Sequence, residues 1–227
     1  MLEQDGVEKI SGMFSKKDVD KIRHAGLTCL FYSTDQDKYE EGGHIQWVSG
    51  APAILFWPRL RHPFMGEVSD MLYSLVVDHL GRDARQLNNQ LYFRCPGDGD
   101  CFNWHRDTTF RTKEPTDYLQ TLIAVDPMTD NGNIMFFKGS HLVEDYYAAD
   151  KEHVRQAPKN TGGPHHTFYC EPGDVLIWDV RTVHASLPNE SNSMRMTYMN
   201  GFGVTDDEKW PVYLKDGVLQ EIKGPLW

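Results

Sequence analysis

Short β-prone runs separated by turn signals fill the second half of the chain. The period changes from helical to alternating after residue 86, and turn residues such as Pro96 and Gly97 close the first run. The runs cover residues 87–94, 118–125, 134–137, 175–180 and 194–204. Many short strands joined by tight turns are typical of a β-barrel or a double-sheet jelly roll. The pattern therefore predicts a mainly β fold.

Two helices are predicted before these strands. Ser15, with an acidic residue three positions later, is typical of a helix N-cap, and we expect this helix to end at Gly26. Residues 27–32 are apolar and β-prone and predict a first strand. Residues 63–80 have the spacing of an amphipathic helix. The polar, Gly-rich residues 33–50 between them predict a surface loop that could serve as a lid.

Two further segments of the β-rich half have distinct patterns. Asn131 and Gly132 form a tight-turn signal, so we expect residues 118–125 and 134–137 to form a hairpin. Residues 142–166 are polar and predict an excursion from the sheet.

Length and charge limit the classes of protein to consider. The 227 residues are 40% hydrophobic, so we expect one well-buried domain spanning residues 1–227. A net charge of -10 argues against a nucleic-acid partner. Four cysteines without a Cys-x-x-Cys pair fit a reducing compartment, and no window has the roughly 20 apolar residues of a membrane span. We expect a soluble, cytoplasmic protein away from membranes, as a monomer or a weak homodimer.

A His-x-Asp pair at His105 and Asp107 is the strongest chemical signal. Side chains two residues apart leave an extended segment on the same face, so both could bind one metal ion. One more histidine would complete the 2-His-1-carboxylate triad of non-haem Fe(II) oxygenases, which leaves three coordination positions open. Of the later histidines, His184 follows a strand after a short turn, whereas His141 ends a turn. We therefore predict His184 as the third ligand, although an isolated pair is also compatible with a solvated surface ion pair.

Two polar residues after His184 fit a dicarboxylate cosubstrate. Ser186 follows two residues later and Arg195 eleven residues later. An Fe(II) ion with open coordination positions needs a bidentate electron donor to activate O2. 2-Oxoglutarate would supply it through its keto acid end, and its outer carboxylate would then need a fixed cation. A guanidinium binds a carboxylate with two parallel hydrogen bonds, and a hydroxyl can add another. A structural salt bridge is the alternative role for Arg195.

These motifs, in this order, resemble the phytanoyl-CoA dioxygenase-like (PhyH) branch of the Fe(II)/2-oxoglutarate-dependent oxygenases. The likeness covers about residues 15–205. It consists of residues 89–94 before a Pro-Gly turn, 104–107, 130–133, 138–141, 172–175, and 184–186 with Pro188, Asn189 and Arg195.

The resemblance implies a double-stranded β-helix, which is a jelly roll or cupin-like barrel. It implies His105, Asp107 and His184 as iron ligands, and Arg195, Ser186 and Gln90 as 2-oxoglutarate contacts. The implied cofactors are Fe(II), 2-oxoglutarate and O2, with ascorbate supportive in vitro. The implied activity is hydroxylation of a small molecule with release of succinate and CO2. Related halogenases replace the carboxylate ligand with a small residue, so Asp107 argues against halogenation.

Arginines and aromatic residues near the metal motif suggest how a substrate binds. If two or more of the arginines line the pocket mouth, the substrate should carry a carboxylate, phosphate or phosphonate. Aromatic side chains would limit water if they face inward, with core packing as the alternative. The candidates are Arg94, Arg106, Arg111, Arg181, Phe102, Trp104, Phe110 and Trp178. We favour a free metabolite or biosynthetic intermediate over a CoA thioester.

Three alternatives remain open at the level of the sequence. The same site could catalyse desaturation, cyclisation or demethylation instead of hydroxylation. A Zn(II) or Mn(II) enzyme of cupin type uses similar ligands, but it has no evident use for Arg195. A non-catalytic barrel that binds a metal or small ligand would not release succinate.

Overall fold

The structure, a computed structural model, describes residues 2–34, 45–48, 51–80, 84–97, 102–107, 116–129, 132–143, 164–204, 214–215 and 218–219. The helices are α1 (Leu2–Asp5), α2 (Lys16–Thr34) and α3 (Pro63–Leu80), with 3₁₀ turns at Pro58–Leu60 and Ser140–Leu142. The strands are β1 (Val7–Ile10), β2 (Ile45–Val48), β3 (Ala51–Phe56), β4 (Arg85–Arg94), β5 (Phe102–His105), β6 (Thr116–Ala124), β7 (Ile134–Phe136), β8 (His166–Phe168), β9 (Val175–Asp179), β10 (His184–Ser186), β11 (Arg195–Val204), β12 (Leu214–Lys215) and β13 (Val218–Leu219).

Two antiparallel sheets form the body of the fold. The large sheet has seven strands in the order β1-β9-β6-β11-β4-β3-β2, and the small sheet has four in the order β5-β10-β7-β8. The crossovers between the sheets give the double-sheet jelly roll predicted from the turns.

The two faces of the large sheet have different roles because successive strand residues alternate between them. Leu91, Phe93 and Ile123 belong to one apolar cluster with the buried stripe of α3. That stripe consists of Met65, Val68, Leu72 and Val76. On the opposite face, Leu122 and Trp178 pack with residues of the small sheet. The second face therefore lines the space between the sheets, where the functional site lies.

Helix α2 corrects the prediction that a helix ends at Gly26 and a strand follows. The helix runs unbroken to Thr34, with Ile22, Ala25 and Cys29 buried at helical spacing. Glycine costs about 1 kcal/mol in a helix interior, but tertiary packing offsets this here. A Cβ at position 26 would lie 3.0 Å from Leu91 Cδ1, so glycine allows the helix to approach the sheet closely.

The polar region before α3 and the predicted hairpin also need correction. Strand β2 lies within residues 33–50, for which the sequence predicts a loop that could serve as a lid. Residues 35–44 and 49–50 of that loop lie outside the described residues. Strands β6 and β7 lie in different sheets, because β9 and β11 flank β6 on both sides. The chain near Gly132 therefore crosses between sheets instead of forming a hairpin.

The N-terminal strand β1 extends the large sheet by pairing with β9. Asp174, just before β9, accepts hydrogen bonds from the Gly12 and Glu171 backbone N–H groups at 2.8 and 3.0 Å and from Lys9 Nζ at 3.2 Å. Burial alone would raise the pKa of Asp174, but these donors outweigh it and the pKa lies below its usual value. The carboxylate therefore fastens the N-terminal segment to the sheet.

A buried polar layer lies between α3 and the large sheet. Asn200 Oδ1 accepts hydrogen bonds from Ser69 Oγ at 2.7 Å, Gln86 Nε2 at 2.8 Å and Asn89 Nδ2 at 2.6 Å. Arg59 joins this layer through Gln86, and its backbone N–H donates to Asn89 at 3.0 Å.

In the part of the chain that the structure describes, neither long helix is apolar enough to cross a membrane.

Candidate metal centre

Two histidines face each other across adjacent strands of the small sheet. His105 ends β5 and His184 begins β10, and the antiparallel register places them directly opposite one another. Their ring centroids are 4.3 Å apart. Both side chains are buried, so the two imidazoles meet inside the fold.

Asp107 completes a convergent set of donor atoms. Its backbone N–H donates to the Val180 carbonyl at 3.0 Å, which fixes the chain just beyond β5. Its Oδ1 lies 3.5 Å from His105 Nε2 and 3.7 Å from His184 Nε2. One donor atom from each of the three residues lies within 4.8 Å of the other two. The sequence-predicted ligands are therefore brought together by the fold.

Neighbouring groups orient two of these ligands. His184 Nδ1 lies 3.0 Å from the Thr182 carbonyl oxygen, so Nδ1 carries the proton and donates it. The lone pair of Nε2 then points toward Asp107 and is available to a metal. Trp178 Nε1 donates to Asp107 Oδ2 at 3.2 Å. This contact leaves Oδ1 on the side of the histidines.

The protonation states of His184 and Asp107 match those of metal ligands. Burial lowers the pKa of His184 to about 4, against the opposing effect of Asp107. Burial alone would raise the pKa of Asp107, but His184, His105 and Trp178 outweigh it and hold the pKa at about 2. At neutral pH the imidazole of His184 is neutral and Asp107 is charged. Two imidazoles and one carboxylate at this spacing fit Fe(II) as a facial triad.

Aromatic rings enclose His184. Phe136 stacks on its imidazole with centroids 5.5 Å apart, and the Trp178 ring is also 5.5 Å away. The sequence analysis did not predict a role for Phe136, because its position opposite His184 depends on the pairing of β7 with β10. These rings exclude water from one side of the donor set.

The predicted cosubstrate residues lie on strands that face the same interior. Arg195 begins β11 and pairs directly with Arg94 on β4, and each of these residues is only 7% exposed. Alternation places both on the face opposite the helix-packed residues of their strands, together with Gln90. Arg195 Nη1 donates to the Gly132 carbonyl, and Gln90 Oε1 accepts from Tyr92 at 2.7 Å. Ser186 shares the strand face of His184.

Three other sequence-predicted substrate residues are engaged elsewhere. Trp104 lies on the opposite strand face from His105 and packs on Phe137, with centroids 4.4 Å apart. Arg106 donates to the carbonyls of Ser140 and Val143 at 2.8 and 2.9 Å. Arg181 forms a salt bridge with Asp179 at 2.6 Å, and the Arg181 side chain is 52% exposed.

Those contacts give no support to a substrate role for the three residues. Phe110, Arg111 and the side chain of Phe102 lie outside the described part of the structure. Of the four predicted aromatic residues, Trp178 is the one with a described contact to a metal ligand.

Known proteins are similar to this chain in sequence or in fold. A probable alpha-ketoglutarate-dependent hypophosphite dioxygenase from Stutzerimonas stutzeri is 25% identical over 91% of this chain and 77% of its own length. The structure resembles EctD from S. alaskensis, solved with 2-oxoglutarate and 5-hydroxyectoine, with a TM-score of 0.71 and 19% identity, covering 89% of this chain and 73% of that one. It also resembles the non-heme alpha ketoglutarate dependent epimerase SnoN, with a TM-score of 0.72 and 16% identity, covering 89% and 80%.

The family assignment rests on the sequence as a whole. The profile of the phytanoyl-CoA dioxygenase (PhyH) family matches residues 2–197, which include all three candidate metal ligands and Arg195. The chain therefore belongs to the phytanoyl-CoA dioxygenase (PhyH) family of Fe(II)- and 2-oxoglutarate-dependent oxygenases.

Proposed function

We propose that this enzyme hydroxylates a small anionic molecule, with release of succinate and CO2 from 2-oxoglutarate. The observation that carries the proposal is the position of two buried arginines, Arg94 and Arg195, directly opposite one another on the face of the large sheet that lines the space between the two sheets. When bound, iron, O2 and 2-oxoglutarate supply the oxidising chemistry. The chain's own residues bind, orient and shield.

The metal and cosubstrate contacts have separate roles. His105, Asp107 and His184 would hold the iron. Arg195 would bind the outer carboxylate of 2-oxoglutarate with a paired, charge-assisted contact, and Ser186 would add a hydroxyl donor. Gln90 would contact 2-oxoglutarate from β4, the strand that pairs with β11. The positions of Gln90, Ser186 and Arg195 support the proposal because each lies on an interior-facing position of its strand.

Arg94 is the residue that argues for an anionic substrate. Like charges directly opposite one another on neighbouring strands repel, and Arg94 pairs directly with Arg195. The outer carboxylate of 2-oxoglutarate would bind Arg195, and an anionic group on the substrate would be attracted by the same two buried positive charges. A carboxylate or a phosphorus oxyanion has the matching charge and shape. The substrate in the name of the Stutzerimonas relative, hypophosphite, is a phosphorus oxyanion, which supports this class.

Phe136 and Trp178 complete the site by covering His184 with apolar rings. A water-poor site strengthens the electrostatic contacts of the arginines and limits side reactions of the oxidant.

A screen for succinate formation tests the proposal. The enzyme is incubated with Fe(II), ascorbate and 2-oxoglutarate, and candidate carboxylates, phosphonates and hypophosphite are added one at a time. We expect one of these classes to stimulate succinate release, with a product that gains one oxygen by mass. A product that loses two hydrogens, or keeps its mass, would indicate desaturation or rearrangement instead.

The Arg94→Gln variant tests the substrate contact separately. We expect its apparent KM for the substrate to rise roughly 10-fold or more, since hydrogen bonds to charged groups contribute about 1.5–3 kcal/mol, while the KM for 2-oxoglutarate stays within about twofold. The proposal fails if neutral molecules alone stimulate turnover, or if the substrate KM of Arg94→Gln equals that of the wild type.

A further inference from the structure

Residues 178–182, at the end of β9 and just beyond it, form hydrogen bonds to two of the three candidate metal ligands, Asp107 and His184. Trp178 donates through its indole Nε1 to Asp107 Oδ2 at 3.2 Å, and the Val180 carbonyl accepts the Asp107 backbone N–H at 3.0 Å. The Thr182 carbonyl lies 3.0 Å from His184 Nδ1. Val180 and Thr182 act through their backbones, so Trp178 is the residue of this segment whose side chain touches a ligand.

The contact with Trp178 distinguishes two oxygens that are chemically equivalent. A carboxylate can present either oxygen, or both, to a metal ion. Here Oδ1 lies 3.5 and 3.7 Å from the two histidine Nε2 atoms, whereas Oδ2 receives the indole proton. An indole N–H only donates, so it binds the charged carboxylate and cannot be satisfied by a metal.

We propose that Trp178 is a positioning residue that fixes Asp107 for metal binding through Oδ1 alone. The hydrogen bond to a charged acceptor resists rotation of the carboxylate, and Oδ2 is kept away from the coordination positions that the cosubstrate and O2 require. Partners of metal ligands commonly change metal affinity by about 10- to 100-fold when they are removed.

Packing is the competing explanation, because Trp178 is almost fully buried. Its ring lies 5.6 Å from Phe136 and 5.5 Å from His184 between centroids. Trp57 offers a matched control: it is also buried, at 3% exposure, and its Nε1 has no hydrogen-bond partner among the described residues. Trp→Phe removes the same atoms at both positions, but it removes a carboxylate contact only at position 178.

The test measures binding of the metal alone to metal-free protein. Co(II) and Fe(II) are titrated into the wild type, Trp178→Phe and Trp57→Phe, after circular dichroism has confirmed that each is folded. We expect Trp178→Phe to bind Co(II) about 10- to 100-fold more weakly and to show a changed Co(II) d–d absorption spectrum. Trp57→Phe should match the wild type in both measurements.

An isosteric replacement separates the hydrogen bond from packing if Trp178→Phe does not fold. 3-Benzothienylalanine at position 178 keeps the fused rings and lacks the N–H group, and we expect it to weaken Co(II) binding to the same degree. Wild-type affinity and spectrum in either variant would overturn the proposal, as would an equal loss of affinity in Trp57→Phe. Because no substrate is present, the result is independent of the proposed hydroxylation.

Discussion

Replacing Gly132 with alanine should displace Arg195 and weaken the binding of 2-oxoglutarate. Gly132 has a φ of 128°, and its carbonyl accepts a hydrogen bond from Arg195 Nη1. A Cβ at this position would overlap Nη1 and Cζ of Arg195 and lie 3.1 Å from Nη2. The guanidinium ends a flexible side chain, so it can swing away without unfolding the protein. The substitution should therefore mainly weaken the binding of 2-oxoglutarate, the ligand assigned to Arg195.

The size of the effect follows from the lost contact. A hydrogen bond to a charged group contributes about 1.5–3 kcal/mol, which corresponds to a roughly 10- to 150-fold increase in the Kd for 2-oxoglutarate. Backbone strain from a Cβ at this φ should add about 1–3 kcal/mol of lost folding stability.

Calorimetric titration of the anaerobic Ni(II)-loaded protein with 2-oxoglutarate measures the first quantity, and thermal unfolding the second. Gly12→Ala is the control, because Gly12 has a φ of 63° and nothing within 4 Å of a Cβ. We expect that variant to lose stability but to bind 2-oxoglutarate like the wild type. Folded Gly132→Ala protein with unchanged affinity would refute the role assigned to Arg195.

Three further outcomes are expected. Adding Co(II) or Fe(II) at about 100 times its Kd to metal-free protein should stabilise the fold by about 2.7 kcal/mol, seen as a higher Tm that a chelator reverses; an unchanged Tm would contradict a metal site formed only in the folded chain. Asp174→Asn should lose about 1–3 kcal/mol of stability in urea unfolding at pH 7. Because the folded pKa of Asp174 is depressed, this difference should persist above the unfolded pKa and disappear as the pH falls through the folded value; a difference that stays constant down to pH 2 would count against it. Burial raises the thiol pKa of Cys29 to about 11 and of Cys170 to about 12, so peptide mapping after iodoacetamide treatment should find both unmodified and the half-buried Cys95 alkylated; early modification of the buried pair would refute this.

The three candidate metal ligands could be selected from the sequence because their signals are local. His105 and Asp107 are two residues apart in an extended segment, and His184 follows a strand after a short turn. Both facts depend on strand periodicity and not on the long-range pairing. The structure adds the direct opposition of His105 and His184, which depends on pairing between segments almost 80 residues apart.

The neighbours of the ligands could not be assigned in the same way. All five residues of β9 are buried, so its sequence has no polar alternation to show that Trp178 faces the interior. Trp104 precedes His105 by one residue, and the same two-residue period places it on the other face. The sequence also could not show that α2 continues through Gly26. The close approach to Leu91 that favours glycine at this position is a tertiary contact.

The polar layer around Asn200 has a consequence for how this protein can change over evolutionary time. Its carboxamide oxygen accepts hydrogen bonds from Ser69, Gln86 and Asn89. Each of these donors also bonds a second side chain, because Gln86 donates to Ser69 and Asn89 donates to Tyr198. Replacing Asn200 alone with a hydrophobic residue would leave several buried donor groups without a hydrogen-bond acceptor. Each such group would lower the folding stability by about 1–3 kcal/mol. Substitutions in this layer should therefore be correlated. Distant relatives should have either all of these polar residues or apolar residues at all of these positions, and few should combine the two.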